Sequence, residues 1–368
     1  MIGVTGQPAM LVEFLARRGC PVPPVTLVDV GCSGGIHPRW RAWGASLTGM
    51  GIDMLHAEVE RLTRDEVLNI RYVCAQIGCG AGSPRTTHAA SSDYALHRSQ
   101  AYITAMLLGD DQRGTYEEYL ARGRELRADQ RPREANYSNM QAPGDDPFYR
   151  YYAQRFASGQ DVRIAEHTTT VDDLVGEEGG LRHVDVIKID VDGWELDVLR
   201  GAERTLSAGT LAVEVEVQFT GLRGPEANIF SNVDTILRSA GLTLVDLQTV
   251  RYARAALPQP FLYEIPAQTN RGAVVWADAL YLRDILSDGP AGAPAMEKQA
   301  GQLTCIADAY GFHDWAAELV LAYPGVFSPV PDSQILDYLA SASTGSDTSY
   351  EELVSEFSRD PLGYGRRG

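Results

Sequence analysis

Two stretches of this chain gather the residue types that do chemistry. Val28-Asp29-Val30-Gly31-Cys32-Ser33-Gly34-Gly35 is an apolar run carrying an acid and opening into a glycine-rich turn, the pattern of a buried strand that delivers a nucleotide-like ligand to a helix start. Val186-Ile187-Lys188-Ile189-Asp190-Val191-Asp192-Gly193-Trp194-Glu195 is a second buried run whose C-terminal end carries three carboxylates. In an open α/β sheet, ligands collect at the C-terminal ends of the strands. The pair predicts a cofactor pocket beside an acidic reaction site.

The glycine spacing narrows the ligand. Asp29-x-Gly31-x-x-x-Gly35 is not the Gly-x-Gly-x-x-Gly that seats a pyrophosphate on a helix N-terminus, and no Gly-x-x-x-x-Gly-Lys-Ser/Thr occurs. Gly49-Met50-Gly51-Ile52-Asp53 reads as the next strand, its acid about 20 residues past the glycines, where a carboxylate accepts ribose hydroxyls. Two strand-end acids without a phosphate cradle suit a ligand with a ribose and cationic groups. S-adenosylmethionine is such a ligand: its ammonium and sulfonium favour carboxylates, and its carboxylate suits helix N-terminal N–H groups. The cofactor-binding set is then Asp29, Gly31, Cys32, Ser33, Gly35, Asp53, Met54 and Asp190, with Gln76 and Ile77 past the third strand. A bound cofactor would lie against the Gly31 backbone, so Gly31→Val is expected to fold yet lose binding.

Methyl transfer to a hydroxyl needs a base or a metal within hydrogen-bond reach. The candidates are Asp190, Asp192, Glu216, His37 and His167. Asp190, Asp192 and Glu216 would also be the oxygen ligands of a Mg2+ ion. Glu195 has a second reading as a helix N-terminal charge, and Glu214 as a residue that points away from the pocket or pairs with Lys188. Cys20, Cys32, Cys74, Cys79 and Cys305 lack Cys-x-x-Cys spacing, which indicates neither a disulfide framework nor a zinc site. Cys32 and Cys79 could line the pocket, though small residues filling tight sites is the simpler reading.

These motifs resemble the FkbM family of S-adenosylmethionine-dependent methyltransferases. Its hallmark strand, Ile-Lys-Ile-Asp-Val-Glu/Asp-Gly-x-Glu followed by Leu-x-Gly-Ala, reads here as Ile187 to Glu195 and Leu199-Arg200-Gly201-Ala202. Thr169-Thr170-Val171-Asp172-Asp173-Leu174, Glu214-Val215-Glu216-Val217-Gln218-Phe219 and Leu237-Arg238-Ser239-Ala240-Gly241-Leu242 are supporting matches. The resemblance spans roughly residues 25 to 285, insertion excepted, with Asp53 where the family more often has Glu. It implies a class I methyltransferase-like Rossmann fold with an antiparallel final strand within Ala279-Leu280-Tyr281-Leu282. It also implies O-methylation of a sugar, glycan or glycosylated metabolite. The alternatives are N-methylation of an amine or peptide, and a non-catalytic scaffold that retains the fold.

The elements that must position these residues follow the same logic. Strands are expected at 25 to 30, 47 to 53, 71 to 76, 184 to 190, 211 to 219 and 243 to 247, with helical stretches between several of them. That alternation predicts a doubly wound, largely parallel α/β sheet. Residues 1–24 read as an amphipathic helix and a Pro-rich linker, 25–285 as the cofactor-binding domain, and 286–368 as a helical C-terminal extension. Within the domain, 92–165 is a helical insertion or lid holding eight of the seventeen tyrosines, rings that would form an apolar platform for an acceptor. The extension's apolar faces need a partner, either the catalytic domain or a second subunit in a homo-oligomer.

A net charge of -17 over 368 residues opposes binding to nucleic acid or anionic membranes. No apolar run reaches the length of a membrane span, and the cytoplasm is the expected location.

Overall fold

The computed structural model describes residues 10–79, 168–176, 180–191, 193–220, 224–262, 268–287 and 294–364, with 99–101, 103–104, 117–118, 121 and 165 between them. Most of the 92–165 insertion, with its tyrosines, lies outside the described residues. The strands are β1 (Val25–Val30), β2 (Leu47–Asp53), β3 (Asn69–Cys74), β4 (Gln76–Ile77), β5 (Thr168–Thr169), β6 (Val186–Ile189), β7 (Ala212–Gln218), β8 (Leu242–Tyr252) and β9 (Ala273–Arg283). Seven of them form one sheet in the order β3-β2-β1-β6-β7-β9-β8, while β4 and β5 pair separately. Neighbours from β3 through β7 run parallel, and β9 is antiparallel to both β7 and β8. This is a doubly wound α/β sheet with the antiparallel strand inserted next to the edge.

β1 and β2 have the expected limits, whereas the third strand breaks after Cys74 and resumes as β4. The last two strands run to 11 residues each, far beyond the apolar cores visible in sequence. Polar residues such as Gln248, Arg251 and Asp278 interrupt their apolar runs, and the register shifts between Leu244 and Asp246 and again between Val250 and Arg251. Such irregularities break the period-2 pattern by which a strand is read.

Alternation sorts the sheet into two faces. Val28, Val30, Ile187, Ile189, Val213, Val215, Ala277 and Ala279 belong to one apolar core. The helices α4 (Val171–Val175), α5 (Glu195–Arg200), α6 (Glu203–Ser207) and α7 (Phe230–Ser239) supply Leu196, Leu199, Leu206, Val233 and Leu237 to it. On the other face, Leu27, Val186, Ala212, Leu280 and Leu282 enter a second core. There α1 (Leu11–Arg17) and α2 (Pro38–Arg41) meet the extension helices α8 (Pro294–Ala309), α9 (His313–Ala322) and α10 (Asp332–Thr344). The remaining crossover helix of the parallel half, α3 (His56–Asp65), joins β2 to β3. The extension therefore uses the sheet itself as its partner surface, through Leu303, Ile306, Leu319, Ile335 and Leu339. A further helix, α11 (Tyr350–Arg359), starts at the Ser349/Glu352 capping box and buries no residue. No helix among the described residues is long and apolar enough to cross a membrane.

Asp308 in α8 ties the two termini together. Its Oδ2 accepts the Leu11 N–H at 2.7 Å, the Tyr338 hydroxyl also bonds to the carboxylate, and burial pushes its pKa up to about 6 despite both bonds. A carboxyl raised in the folded state stabilises fully below its unfolded pKa, and that contribution is lost as pH rises through the folded one. Asp308→Asn, which mimics the protonated form, is therefore expected to gain stability relative to the parent between pH 4 and pH 8, by about 3 kcal/mol at most. Thermal denaturation of both proteins across that range checks this; a difference in melting temperature independent of pH would remove Asp308 as the titrating group.

Candidate active site

The glycine turn and the acidic strand end are in backbone contact. Gly31 has φ +83°, and a Cβ built on it would lie 1.8 Å from the Asp190 carbonyl oxygen. Parallel pairing of Val30 with Ile189 brings the two strand ends side by side, and the Asp190 N–H donates to the Val30 carbonyl at 3.0 Å. The backbone that Gly31 must approach is thus that of Asp190 rather than that of a cofactor alone. This corrects the expectation that Gly31→Val would fold normally.

The turn does not open into a long helix. Gly31 and Cys32 donate their N–H groups to the Ile52 carbonyl, at 2.8 and 3.2 Å. The Gly34 N–H goes to Glu58 Oε1 at 2.7 Å, a carboxylate that the Arg61 hydrogen bond holds below the usual range. The four-residue α2 starts only at Pro38, and its Arg39 N–H is capped by His37 Nδ1. The expected helix-terminal cradle for a carboxylate is absent from this turn, because Glu58 and His37 already supply its acceptors.

Asp53, at the end of β2, faces the turn. Its Oδ2 accepts the Ser33 hydroxyl at 2.6 Å and its Oδ1 the Leu55 N–H at 2.8 Å. Each oxygen keeps a lone-pair direction. Cys32 turns inward instead, its thiol packed with Val59, Leu62 and Tyr72 and pushed up in pKa by burial. Met54 and Gln76 frame the same end of the sheet: the Met54 carbonyl accepts the Ala165 N–H at 2.8 Å, and Gln76 Nε2 donates to the Ala165 carbonyl at 2.7 Å. Ile77 packs against the core beneath the α4 to α7 helices, and Gly35 leans on Leu62.

Lys188 organises the charges. It pairs in register with Asp29 on β1 and Glu214 on β7, so all three side chains share the face turned to the extension. Its ammonium lies 3.6 Å from Asp29 Oδ1 and 3.3 Å from Asp190 Oδ2. Burial pulls the Lys188 pKa down, but Asp29, Asp190 and Glu214 outweigh it and hold the group above its ordinary value. Asp29 is only 2 % exposed, and burial, opposed by Lys188, pushes it up to about 6. Asp278 on β9, opposite Glu216, is likewise raised to about 6, first by burial and then by Asp190 and Glu214. Asp190 itself is about half exposed, and with Asp278, whose side chain is also exposed, it meets solvent.

The other candidates divide. Glu195 is buried and structural: its Oε1 accepts the Val191 and Gly193 N–H groups at 3.2 and 3.0 Å, and its Oε2 accepts from Asn228. That clamps the loop after β6, and burial raises its pKa to about 6. His37 senses Glu214 and Lys188, and burial followed by Arg39 lowers its pKa. Its Nδ1 accepts from both the backbone and the side chain of Arg39, so the neutral ring carries its proton on Nε2 and presents a donor. Glu216 stands on the same face as Glu214, near enough to Tyr252 to raise that phenol's pKa, though burial raises it more. Glu214 does not turn away from this face; it accepts from Tyr310 at 2.6 Å. Asp192 and His167 lie outside the described residues. Among the described residues, no three His, Cys, Asp or Glu side chains converge to hold a metal ion.

Sequence reasoning missed Glu58, Asn228, Arg39 and Tyr310. Glu58 had a local signal, its spacing to Arg61 on one helix face; Asn228 and Tyr310 act across long sequence separations, and so does Arg39 toward Glu214 and Tyr310.

Gly31→Ala is expected to cost folding and not only ligand affinity, since its methyl group would meet a backbone carbonyl and its φ disfavours a side chain. Circular dichroism and denaturant titration check this, a fully native and equally stable variant being the contrary result.

Residues 78–243 match the methyltransferase FkbM domain. The match takes in the hallmark strand and its flanks and begins past Asp29 to Gly35 and Asp53. No curated protein matches. Solved structures that align include magnesium protoporphyrin IX methyltransferase from Synechocystis, 9% identical over 74% of this chain and 76% of that one, TM-score 0.25. A TehB-like SAM-dependent methyltransferase from Corynebacterium glutamicum is 10% identical over 77% and 92%, TM-score 0.26. A putative methyltransferase from Haloferax volcanii, solved with a methyltransferase activator, is 11% identical over 74% and 88%, TM-score 0.28. At such scores these likenesses add nothing to the strand order, on which the fold rests. The hallmark strand and the family match together make this chain a protein with a methyltransferase FkbM domain.

Proposed function

We propose that this chain is an S-adenosylmethionine-dependent O-methyltransferase acting on a hydroxyl of a sugar, glycan or glycosylated metabolite. The observation that supports the reading is the close backbone approach of Gly31 to Asp190, which brings the glycine turn and a half-exposed carboxylate side by side. The residues present fit the cofactor. Asp53 keeps an acceptor direction on each oxygen for a ribose diol, and nothing lies within 4 Å of a Cβ placed on Gly34, so the turn is open to a ligand. S-adenosylmethionine supplies an electrophilic methyl group when bound. The acidic cluster favours its cationic end, and Asp190 is placed to accept the acceptor hydroxyl's proton. Lys188 holds Asp190 in place. His37 Nε2–H is available to orient an acceptor oxygen. The sugar or glycan acceptor is the class that the family resemblance implies, and a hydroxyl fits a site that offers a carboxylate to take its proton.

Two experiments test the reading. Titration calorimetry with S-adenosylhomocysteine is expected to show tight binding that Asp53→Ala weakens about ten- to a hundredfold, the scale of a hydrogen bond to a charged group; unchanged affinity would remove Asp53 from the site. Labelled S-adenosylmethionine with a panel of glycosides and free sugars is expected to give turnover that Asp190→Asn lowers at least a hundredfold, with little change in affinity for the uncharged S-adenosylhomocysteine. Transfer to amines or peptides alone would establish the N-methyl alternative, and binding without transfer to any acceptor would favour the scaffold reading.

A further inference from the structure

Tyr310 follows α8 on the C-terminal extension, yet its hydroxyl reaches the sheet and donates to Glu214 Oε2 at 2.6 Å. Arg39 comes to 4.0 Å from the same oxygen, and its guanidinium lies over the Tyr310 ring, 4.3 Å from the centroid. Trp40 meets that ring edge-on at 5.9 Å. Glu214 and Lys188 are ladder partners on one face, which is the shortest route to an ion pair. The charges are nevertheless partitioned: Lys188 pairs with Asp29 and Asp190, and Glu214 with Tyr310 and Arg39. A half-buried carboxylate that loses a donor must find another, and beside the Arg39 guanidinium already 4.0 Å away the ladder-partner ammonium of Lys188 is the other cation at hand.

We propose that Tyr310 is a positioning residue of the methyl-transfer site: by holding Glu214 it reserves the Lys188 ammonium for Asp190, and so sets the charge presented at the end of β6. The helical extension is then a working part of the site and not only a cover for the sheet. This rests on the S-adenosylmethionine methyltransferase reading. It follows from residues about 96 positions apart in the chain that meet only because α8 docks there.

Tyr310→Phe keeps the ring and its stacking and removes one oxygen. Sinefungin, which carries an ammonium where the transferred methyl would sit, reports the charge at that point, and S-adenosylhomocysteine lacks it. With Lys188 drawn toward Glu214, Asp190 is less neutralised, so Tyr310→Phe is expected to raise the sinefungin preference over S-adenosylhomocysteine about fivefold, leaving S-adenosylhomocysteine affinity within about twofold. Adding Glu214→Gln is expected to restore the parent preference, a reversal that loss of packing would not produce. Lysine occurs only at 188 and 298, so selective lysine labelling gives two side-chain NMR signals, with Lys298→Arg assigning them; the Lys188 signal is expected to move in Tyr310→Phe. Arg39→Gln, removing the other partner of Glu214, is expected to shift the preference in the same direction and serves should Tyr310→Phe fold poorly. Absence of S-adenosylhomocysteine binding to the parent protein would sink the cofactor reading. Normal binding with an unchanged preference and an unmoved Lys188 signal would overturn the role of Tyr310.

Discussion

One ammonium among carboxylates constrains this fold more than any other interaction. Lys188 stands between Asp29 and Glu214 across three parallel strands, on the face where Leu27, Val186 and Ala212 are apolar. A slip of one residue in either pairing would turn Lys188 into the opposite core, among Ile187, Val213 and Leu196, with its charge unpaired. The ion pairs therefore specify register as well as neutralise charge. Of the 32 basic residues only two are lysines, and a compact ammonium, unlike a planar guanidinium, can serve carboxylates placed on different sides of it. The same register brings Gly31 against the Asp190 carbonyl, so the charge cluster and the glycine turn are two results of one alignment.

Several hallmark residues of the domain owe their identity to construction. Gly201 lies so close to Gly78 that a Cβ would come 2.1 Å from its carbonyl oxygen. Thr170 caps α4 through the Asp173 N–H, and Asp172 accepts the Arg204 and Thr205 N–H groups at 2.9 and 2.8 Å, closing the start of α6. Glu195 holds the loop after β6 through two N–H groups. The Glu195 contacts hold the backbone just past β6, so that the half-exposed Asp190 has a defined position.

The extension and α1 complete the sheet's second face. Without them Leu27, Val186, Leu280 and Leu282 would leave an apolar sheet face in water, a cost of about 25 cal/mol per Å². Their packing stops at the level of Glu214, where Tyr310 and Arg39 turn the apolar core into the polar strand ends. The boundary between cover and site is thus a hydrogen bond, and it is made by the segment farthest from the motifs in sequence.

Much was written locally. Apolar runs carrying or followed by acids located β1, β2, β6 and β7, because buried parallel strands are largely continuous in sequence, and the Ser349/Glu352 spacing announced its capping box because both partners sit within one turn. The identity of the hallmark strand, and with it the methyltransferase domain, was legible in the order Ile187 to Glu195 for the same reason. Tertiary structure alone decided what each acid does. Asp29, Asp190, Glu195 and Glu214 are equivalent in a sequence, yet one is buried under Lys188, one meets solvent, one clamps a loop and one answers Tyr310. The role of a carboxylate depends on its burial and on which donor reaches it first, and for Asp29 and Glu214 those donors come from strands and helices that only folding brings together.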